Sequence, residues 1–159
     1  MNIARHNRDL RLLCSLEEMD RSRFGMAPGW SAVDWKPTAH GGNLIFIRGY
    51  VLPPNCSRRR SDVKIEAPPN LYEPCGGGSS YIFYRNMWLA PGIEIWNPQG
   101  NCWTKVPRLF EQAAEDGFAF ICIHPQHVTN AHSTIFHFLR ALDLHLLNPG
   151  FKAQPGEAA

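Results

Sequence analysis

The stretch from residue 44 to residue 74 limits the possible folds more than any other part of this sequence. It opens with the nearly continuous apolar run LIFIRGYVL at 44–52, which is typical of a strand. Pro53-Pro54-Asn55 ends that strand, and a second strand is predicted at 61–67. The sequence PPNLYEP at 68–74 fits neither a strand nor a helix, because prolines fix φ and remove backbone donors. Tight turns between successive strands predict antiparallel pairing.

The second of these strands alternates in polarity. Val63 and Ile65 share one face, and Asp62, Lys64 and Glu66 share the other. Successive side chains of a strand point to opposite sides of a sheet. The pattern therefore predicts a half-buried strand with its apolar face on the core.

Helical patterns flank the strands on both sides. A loose apolar stripe, with Leu10 and Leu13 near its centre, predicts a helix over 3–19. The sequence PRLFEQAAED predicts a short helix at 107–116, since proline stands near its start and glycine follows its end. A longer amphipathic helix is predicted from Asn130 or Ser133 to the Asn-Pro-Gly break at 148–150.

Shorter segments complete the predicted layout. They are a weakly alternating stretch at 31–35, the start of a strand at 81–84, a loop at 90–100 and a short apolar run at 118–123. Strands grouped together between helices are typical of the α+β class. We therefore predict one α+β domain over 1–150, with an N-terminal helix, an antiparallel four-stranded meander and a C-terminal packing helix, followed by a frayed tail at 151–159.

Composition narrows the class of protein. The 159 residues are 44% apolar and 19% charged, which is typical of one globular domain. The net charge of +2 is too small to favour nucleic acid as a partner. No run is apolar enough for a membrane helix or a secretory signal. The five cysteines are an odd number without framework spacing, so we expect free thiols and a cytoplasmic protein.

This layout resembles the ubiquitin-conjugating superfamily, and in particular its bacterial members. The strand and turn at 63–74 are similar to the family's strand followed by a Tyr-Pro-x-x-Pro-Pro turn, although the residue order differs. Ala90-Pro91-Gly92-Ile93 stands where the family carries His-Pro-Asn-Ile. The segment FIRGYVLPP at 46–54 has a counterpart in bacterial members, and Ser133-Thr134 opens the matching helix. Gly92 departs from the pattern. It stands where the family carries an asparagine that helps to stabilise the oxyanion.

The resemblance implies a carrier that holds a ubiquitin-like protein as a cysteine thioester and transfers it to a target amine. Its implied partners are an activating enzyme, a ubiquitin-like protein and protein targets, in bacterial operons that include phage-defence systems. The chemistry needs no metal or organic cofactor, because a cysteine thiolate is both nucleophile and leaving group. The family's first helix faces the activating enzyme, so Arg5, Arg8 and Arg11 are docking candidates, with a solvated helix face as the other interpretation.

Cys122 is the predicted nucleophile. Ile121-Cys122-Ile123 resembles the family's Ile-Cys-Leu, and Asp116-Gly117 precedes it much as Asn-Gly does there. The interval from Cys122 to Thr134 is also close to the family's interval. His124 falls where bacterial relatives carry a histidine, and it would tune the thiol. The opposite interpretation is an inert core thiol, since the neighbours of Cys122 are apolar.

Cys102 is the rival nucleophile. It follows the polar sequence NPQGN at 97–101 and lies nearer to Gly92, which fits the family's order from that side. Asn97 or Asn101 would then be candidates to replace the missing asparagine. Cys14 is expected in the core, and Cys56 and Cys75 precede the Pro-Gly motif.

Two other functions stay open. A non-catalytic member of the fold would bind a ubiquitin-like protein without forming a thioester, and Gly92 motivates this alternative. A small zinc domain is the second alternative, because Cys122, His124, His127 and His132 lie close together. Their spacing matches no zinc template, since a second pair of ligands is missing.

Overall fold

A five-stranded antiparallel sheet, a two-stranded ribbon and two helices form the frame of the structure. It is a computed structural model that describes residues 1–18, 29–76, 80–96, 102–105, 117–121, 123 and 132–147, with the backbone alone at 16–18 and 102–105. The elements in chain order are α1 (Ile3–Glu18), β1 (Ala32–Pro37), β2 (Asn43–Val51), β3 (Arg60–Ala67), β4 (Met87–Leu89), β5 (Glu94–Trp96), β6 (Cys102–Lys105), β7 (Ala119–Ile121) and α2 (Ile135–Leu147). The predicted α+β class and both predicted terminal helices are confirmed.

The strand order explains how the sheet is built. It runs β1-β2-β3-β4-β7, with every neighbouring pair antiparallel, while β5 and β6 pair only with each other among the named strands. The first four strands form the predicted meander. The apolar run at 118–123 supplies β7, which adds a fifth strand beside β4. None of the described helices is long and apolar enough to cross a membrane.

Two rows of apolar side chains cross the inner face of the sheet and form the centre of the core. One row joins Ile45, Ile65, Met87 and Ile121, and the next joins Ile47, Val63, Leu89 and Ala119. Each of these side chains is at most 1% exposed. The same cluster contains the buried stripe of α2, namely Ile135, Phe138, Leu139, Leu142 and Leu146. The apolar side chains that recur with a period of two along the strands thus pack in the same core as the apolar stripe of α2, which has the helical period.

The outer face of β3 departs from the sequence prediction at Lys64. Lys64 was expected on the polar, solvent-facing side, yet it is only 6% exposed. Its ammonium lies 4.5 Å from the ring centroid of Trp88 and 5.0 Å from that of Phe118. Aromatic faces attract a desolvated cation, so the rings replace part of the water that the charge has lost.

The strand predicted to begin at residue 81 is wrong in position. Tyr81 forms only an isolated bridge with Pro74, and the sheet strand β4 begins at Met87. Phe83 and Tyr84 are both buried although they are consecutive, so they do not alternate as strand residues do. Their rings meet edge to face at 5.2 Å and pack on Phe138, which holds this segment in the aromatic core instead of the sheet.

The predicted loop at 90–100 is also partly wrong, because it contains β5. Ile93 and Ile95 are fully buried and alternate with Glu94 and Trp96, but the flanking prolines and glycines hide this short pattern. The helix predicted at 107–116, the helix stop at 148–150 and the tail at 151–159 lie outside the described residues.

A buried carboxylate joins α1 to the first turn of α2. Asp9 is 0% exposed, and its Oδ2 accepts hydrogen bonds from the Tyr84 hydroxyl at 2.8 Å, the Ile135 amide at 3.2 Å and the Tyr72 hydroxyl. Its Oδ1 accepts from the Arg8 guanidinium at 3.0 Å. A buried charge is tolerated only when donors replace its lost water, and the helix N-terminus adds a favourable dipole.

His6 extends this hydrogen-bonded cluster to the sheet. The Asn43 side-chain amide donates to His6 Nε2 at 2.7 Å, so the ring proton resides on Nδ1, which faces the Tyr84 hydroxyl at 3.4 Å. Burial lowers the pKa of His6, while the charge of Asp9 opposes that shift. The neutral His6 ring therefore connects Asn43 of β2, through the Tyr84 hydroxyl, to Asp9.

Two of the three arginines expected at a docking surface make contacts within the chain. The Arg5 guanidinium lies 4.0 Å from the ring centroid of Tyr72 and donates to the Ser133 carbonyl at 3.3 Å. Arg8 bonds Asp9 and donates to the same carbonyl at 3.4 Å. Arg11 is exposed, and the docking role of the three arginines stays a prediction.

Replacing Asp9 by asparagine should lower the free energy of unfolding by roughly 2–4 kcal/mol, because the donors around Oδ2 would meet an amide with fewer acceptor sites. Urea unfolding at neutral pH measures this loss. Asp34→Asn is the matched control, since the Asp34 side chain is 68% exposed in a surface ion pair and its loss should cost less than about 0.5 kcal/mol. Equal effects of the two substitutions would contradict a structural role for the Asp9 cluster.

Candidate functional site

The ribbon of β5 and β6 follows directly from the Pro91-Gly92 turn. Glu94 pairs with Lys105, Ile95 with Thr104 and Trp96 with Cys102, with an irregularity before the last pair. Cys102 therefore begins β6 at the end of the ribbon away from Gly92. Gly92 has φ +80°, a left-handed conformation that glycine adopts freely and that asparagine tolerates better than most residues.

The other edge of β5 lies on residues 55–57, which we call the support segment. Ser57 donates its amide to the Glu94 carbonyl at 2.8 Å, and Glu94 donates its amide to Ser57 Oγ at 2.8 Å. Cys56 forms a bridge with Ile95, and Trp96 donates its amide to the Asn55 carbonyl at 2.8 Å. The support segment thus fixes the full length of β5 from one side.

The support segment follows β2 because of the prolines that end that strand. Pro53 and Pro54 lack the N–H that a sheet ladder needs, and Cys56 then donates to the Pro53 carbonyl at 3.1 Å, which turns the chain. The chain leaves the turn beside β5 and returns to the main sheet at Arg60.

Asn55 connects the support segment and β5 to the end of α2. Its Nδ2 donates to the Trp96 carbonyl at 3.1 Å and to the Leu146 carbonyl at 2.8 Å. The last four carbonyls of a helix have no partner within the helix, so Leu146 requires a donor from elsewhere. Among the described residues, Asn55 Oδ1 is buried and has no hydrogen-bond partner.

Asp143 of α2 forms a second polar contact, which joins α2 to β2. The Tyr50 hydroxyl donates to Asp143 Oδ1 at 2.9 Å. Burial raises the pKa of Asp143 from 3.8 to about 6, while the Tyr50 hydrogen bond and the charge of Arg140 limit the rise. Burial, together with the negative charge of Asp143, raises the pKa of the Cys56 thiol to about 11. Cys56 is therefore a protonated thiol at neutral pH, which is a poor nucleophile.

The structure describes some of the cysteines named in the sequence analysis fully, one by its backbone only and one not at all. The backbone of Cys102 lies in the ribbon, and its side chain is outside the described residues. Cys122 and His124 both lie outside them, although Cys122 follows β7 and stands between the buried residues Ile121 and Ile123. Cys14 and Cys56 are half-buried free thiols, and Cys75 is an exposed one.

The proposed zinc ligands are only partly described. His132 is exposed, and Cys122, His124 and His127 lie outside the described part of the chain. Within that part, no three His, Cys, Asp or Glu side chains are grouped closely enough to hold a metal ion.

Sequence reasoning did not single out Asn55, Tyr50 or Asp143. Asn55 was interpreted only as part of the stop after β2. The one local signal was an asparagine directly after two prolines, which is typical of a turn and carries no information about its distant partners. Comparison with known proteins finds no matching family model, curated protein or solved structure.

Replacing Asp143 by asparagine should make the folded state more stable at pH 7.5. Folding raises the pKa of Asp143 to about 6. The stability that the protonated Asp143 side chain contributes to the folded state is therefore fully present below pH 3.8 and is lost as the pH rises through 6. The advantage of Asp143→Asn should therefore shrink between pH 7 and pH 4. Thermal unfolding across this range measures the effect.

Tyr50→Phe should lower the stability of the folded state at pH 7.5, because the ionised Asp143 carboxylate would lose its hydrogen-bond donor. A lower stability of Asp143→Asn at pH 7.5 would show that the carboxylate is stabilised, not strained, by folding.

Proposed function

We propose that this protein is a ubiquitin-conjugating-like carrier of a bacterial conjugation pathway. It accepts a ubiquitin-like protein from an activating enzyme as a cysteine thioester and transfers it to an amine of a target protein. The observation that carries the proposal is the order of elements: a helix, a four-stranded meander, a Pro-Gly turn, a cysteine-bearing ribbon, a fifth strand of the main sheet and a closing helix. This order agrees with the resemblance of the sequence to the ubiquitin-conjugating superfamily.

The position of Cys102 supports it as the nucleophile. It begins β6, the second strand of a two-stranded ribbon that is separate from the main sheet, and the first strand of this ribbon follows the Pro91-Gly92 turn directly. In sequence, Cys122 follows β7, a strand of the main sheet, and not a strand of the ribbon. We therefore prefer Cys102, whose ribbon comes directly after the Pro91-Gly92 turn, which is the reverse of the preference that the interval to Thr134 suggests. If Cys122 is the nucleophile, His124 remains the nearest tuning residue.

The proposed chemistry consists of two acyl transfers. The cysteine thiolate attacks the carbonyl carbon of the thioester on the activating enzyme, and the new C–S bond forms as the old one breaks, releasing the enzyme's thiolate. A target amine then attacks the carrier's thioester, so that a C–N bond forms, the C–S bond breaks and the amine loses a proton. Neither step requires an oxidant, a reductant or a metal.

The oxyanion of the second step needs donors near Cys102. Gly92 has no side chain to offer, and it lies four residues before Trp96, the partner of Cys102. That separation is on the order of 13 Å along an extended strand. A donor at position 92 would therefore be remote, whereas Asn97 and Asn101 lie close to Cys102 in sequence. Both asparagines are candidates for this role and lie outside the described residues.

A non-catalytic scaffold is the second candidate function. Gly92 favours it, because the side chain that the family uses for oxyanion stabilisation is missing. Such a scaffold would bind the same ubiquitin-like protein or activating enzyme without forming a covalent bond. A zinc domain is a third candidate, and metal analysis of the purified protein tests it directly.

A charging assay distinguishes the carrier from the scaffold. The protein is mixed with the activating enzyme and ubiquitin-like protein of its operon and ATP, and the products are separated with and without thiol. We expect an adduct that thiol removes, that Cys102→Ala abolishes and that Cys122→Ala retains. Cys75→Ala is the matched control, since Cys75 is exposed but distant in sequence from the ribbon, and it should charge normally.

Each other result has a defined meaning. Loss of the adduct only in Cys122→Ala would move the nucleophile to the segment after β7 and keep the carrier function. Absence of an adduct in the wild type, with the activating enzyme shown to be charged, would contradict the carrier function. Stoichiometric zinc in the purified protein would then favour the metal-binding alternative.

A further inference from the structure

The side chain of Asn55 lies where the ribbon, the support segment and α2 meet. Its single amide nitrogen donates to Trp96 of the ribbon and to Leu146 in the last turn of α2. Its main-chain carbonyl accepts from the Trp96 amide, so the same residue bonds Trp96 on both its N–H and its C=O. Both polar main-chain groups of Trp96 are thus used by Asn55.

Trp96 is also the register partner of Cys102. Asn55 of the support segment, Trp96 of β5 and Cys102 of β6 therefore lie in one row across three adjacent segments. At the Asn55 end of this row, the side chain bonds the C-terminal turn of α2. A shift of α2 or of the support segment would move Trp96 and, through the pairing of β5 with β6, would reach Cys102.

The neighbouring contacts do not duplicate this role. Ser57 bonds Glu94 at the opposite end of β5, next to the Pro91-Gly92 turn. The Tyr50–Asp143 hydrogen bond holds α2 to the end of β2 and does not involve the ribbon strands. Asn55, by contrast, bonds both the ribbon and α2.

We infer that Asn55 is a positioning residue that couples the C-terminus of α2 to Trp96 and thereby fixes Cys102 for acyl transfer. The inference rests on the proposed carrier function with Cys102 as its nucleophile. Asn55 bonds Trp96 and acts through the strand that pairs with Cys102. Misplacement of a reacting group by about 1 Å can cost up to roughly a hundredfold in rate.

The test measures single-turnover discharge of the charged carrier to free lysine. Asn55→Ala should charge to the same final extent as the wild type but discharge to lysine roughly tenfold more slowly, while hydrolysis of the thioester changes little. Ser57→Ala is the matched control, because it removes a ribbon hydrogen bond of similar length at the end away from Cys102. It should discharge within about twofold of the wild type.

A purely structural role would give a different pattern. If Asn55→Ala and Ser57→Ala slowed discharge equally, or if Asn55→Ala discharged at the wild-type rate, the inference would be overturned. Asn55→Asp sharpens the test, since a carboxylate facing the carbonyls of Trp96 and Leu146 cannot replace either donated bond. Asn55→Asp should therefore be at least as slow as Asn55→Ala.

A second measurement needs no partner protein. The rate at which iodoacetamide alkylates Cys102, followed by peptide mass spectrometry, should change at least severalfold in Asn55→Ala and stay near the wild-type rate in Ser57→Ala. Unchanged alkylation of Cys102 in Asn55→Ala would contradict the coupling. If the wild type does not charge but alkylation changes as expected, the carrier function fails and the structural coupling stands.

Discussion

The buried carboxylate of Asp9 is the interaction on which the arrangement of the helices depends. A charge without access to water needs donors, and these come from the 72–84 segment, from α1 itself and from the first amide of α2. Since the donors belong to distant parts of the chain, only one placement of α1 and α2 satisfies them together. Apolar packing alone would define that placement less uniquely, because the inner face of the sheet is a continuous apolar surface.

α2 is consequently fixed at three points along its length. Asp9 binds its first turn, Tyr50 binds Asp143 near its end, and Asn55 binds the Leu146 carbonyl in its last turn. The stripe between these points is buried in the core. A helix held in this way gives the ribbon a fixed point of attachment through Asn55, as the proposed role of Cys102 requires.

Local patterns predicted the parts of the fold that depend on local forces. β2 was predicted because its apolar run is nearly continuous, β3 because its apolar and polar side chains alternate, and α2 because its apolar stripe has the helical period. Lys64 was misplaced because alternation says which face a side chain occupies and not what covers that face. The segment before β4 was misplaced because aromatic packing on Phe138 outweighed strand propensity.

The candidate site was less predictable, since it depends on contacts between distant residues. The hydrogen bond from Asn55 to Leu146 spans 91 positions, and nothing near Asn55 indicates it. The raised pKa of Asp143 likewise depends on its burial in the folded chain.

Mapping the acylated cysteine tests the central proposal most directly. After charging, free thiols are blocked, the thioester is cleaved with hydroxylamine, and the newly released thiol is labelled and located among tryptic peptides. Cleavage after Arg85, Lys105, Arg108 and Arg140 separates Cys102, in peptide 86–105, from Cys122, in peptide 109–140. We predict the label on peptide 86–105. A label on peptide 109–140 would contradict Cys102 as the nucleophile, and absence of any labelled thiol after confirmed activation of the ubiquitin-like protein would contradict the carrier function itself.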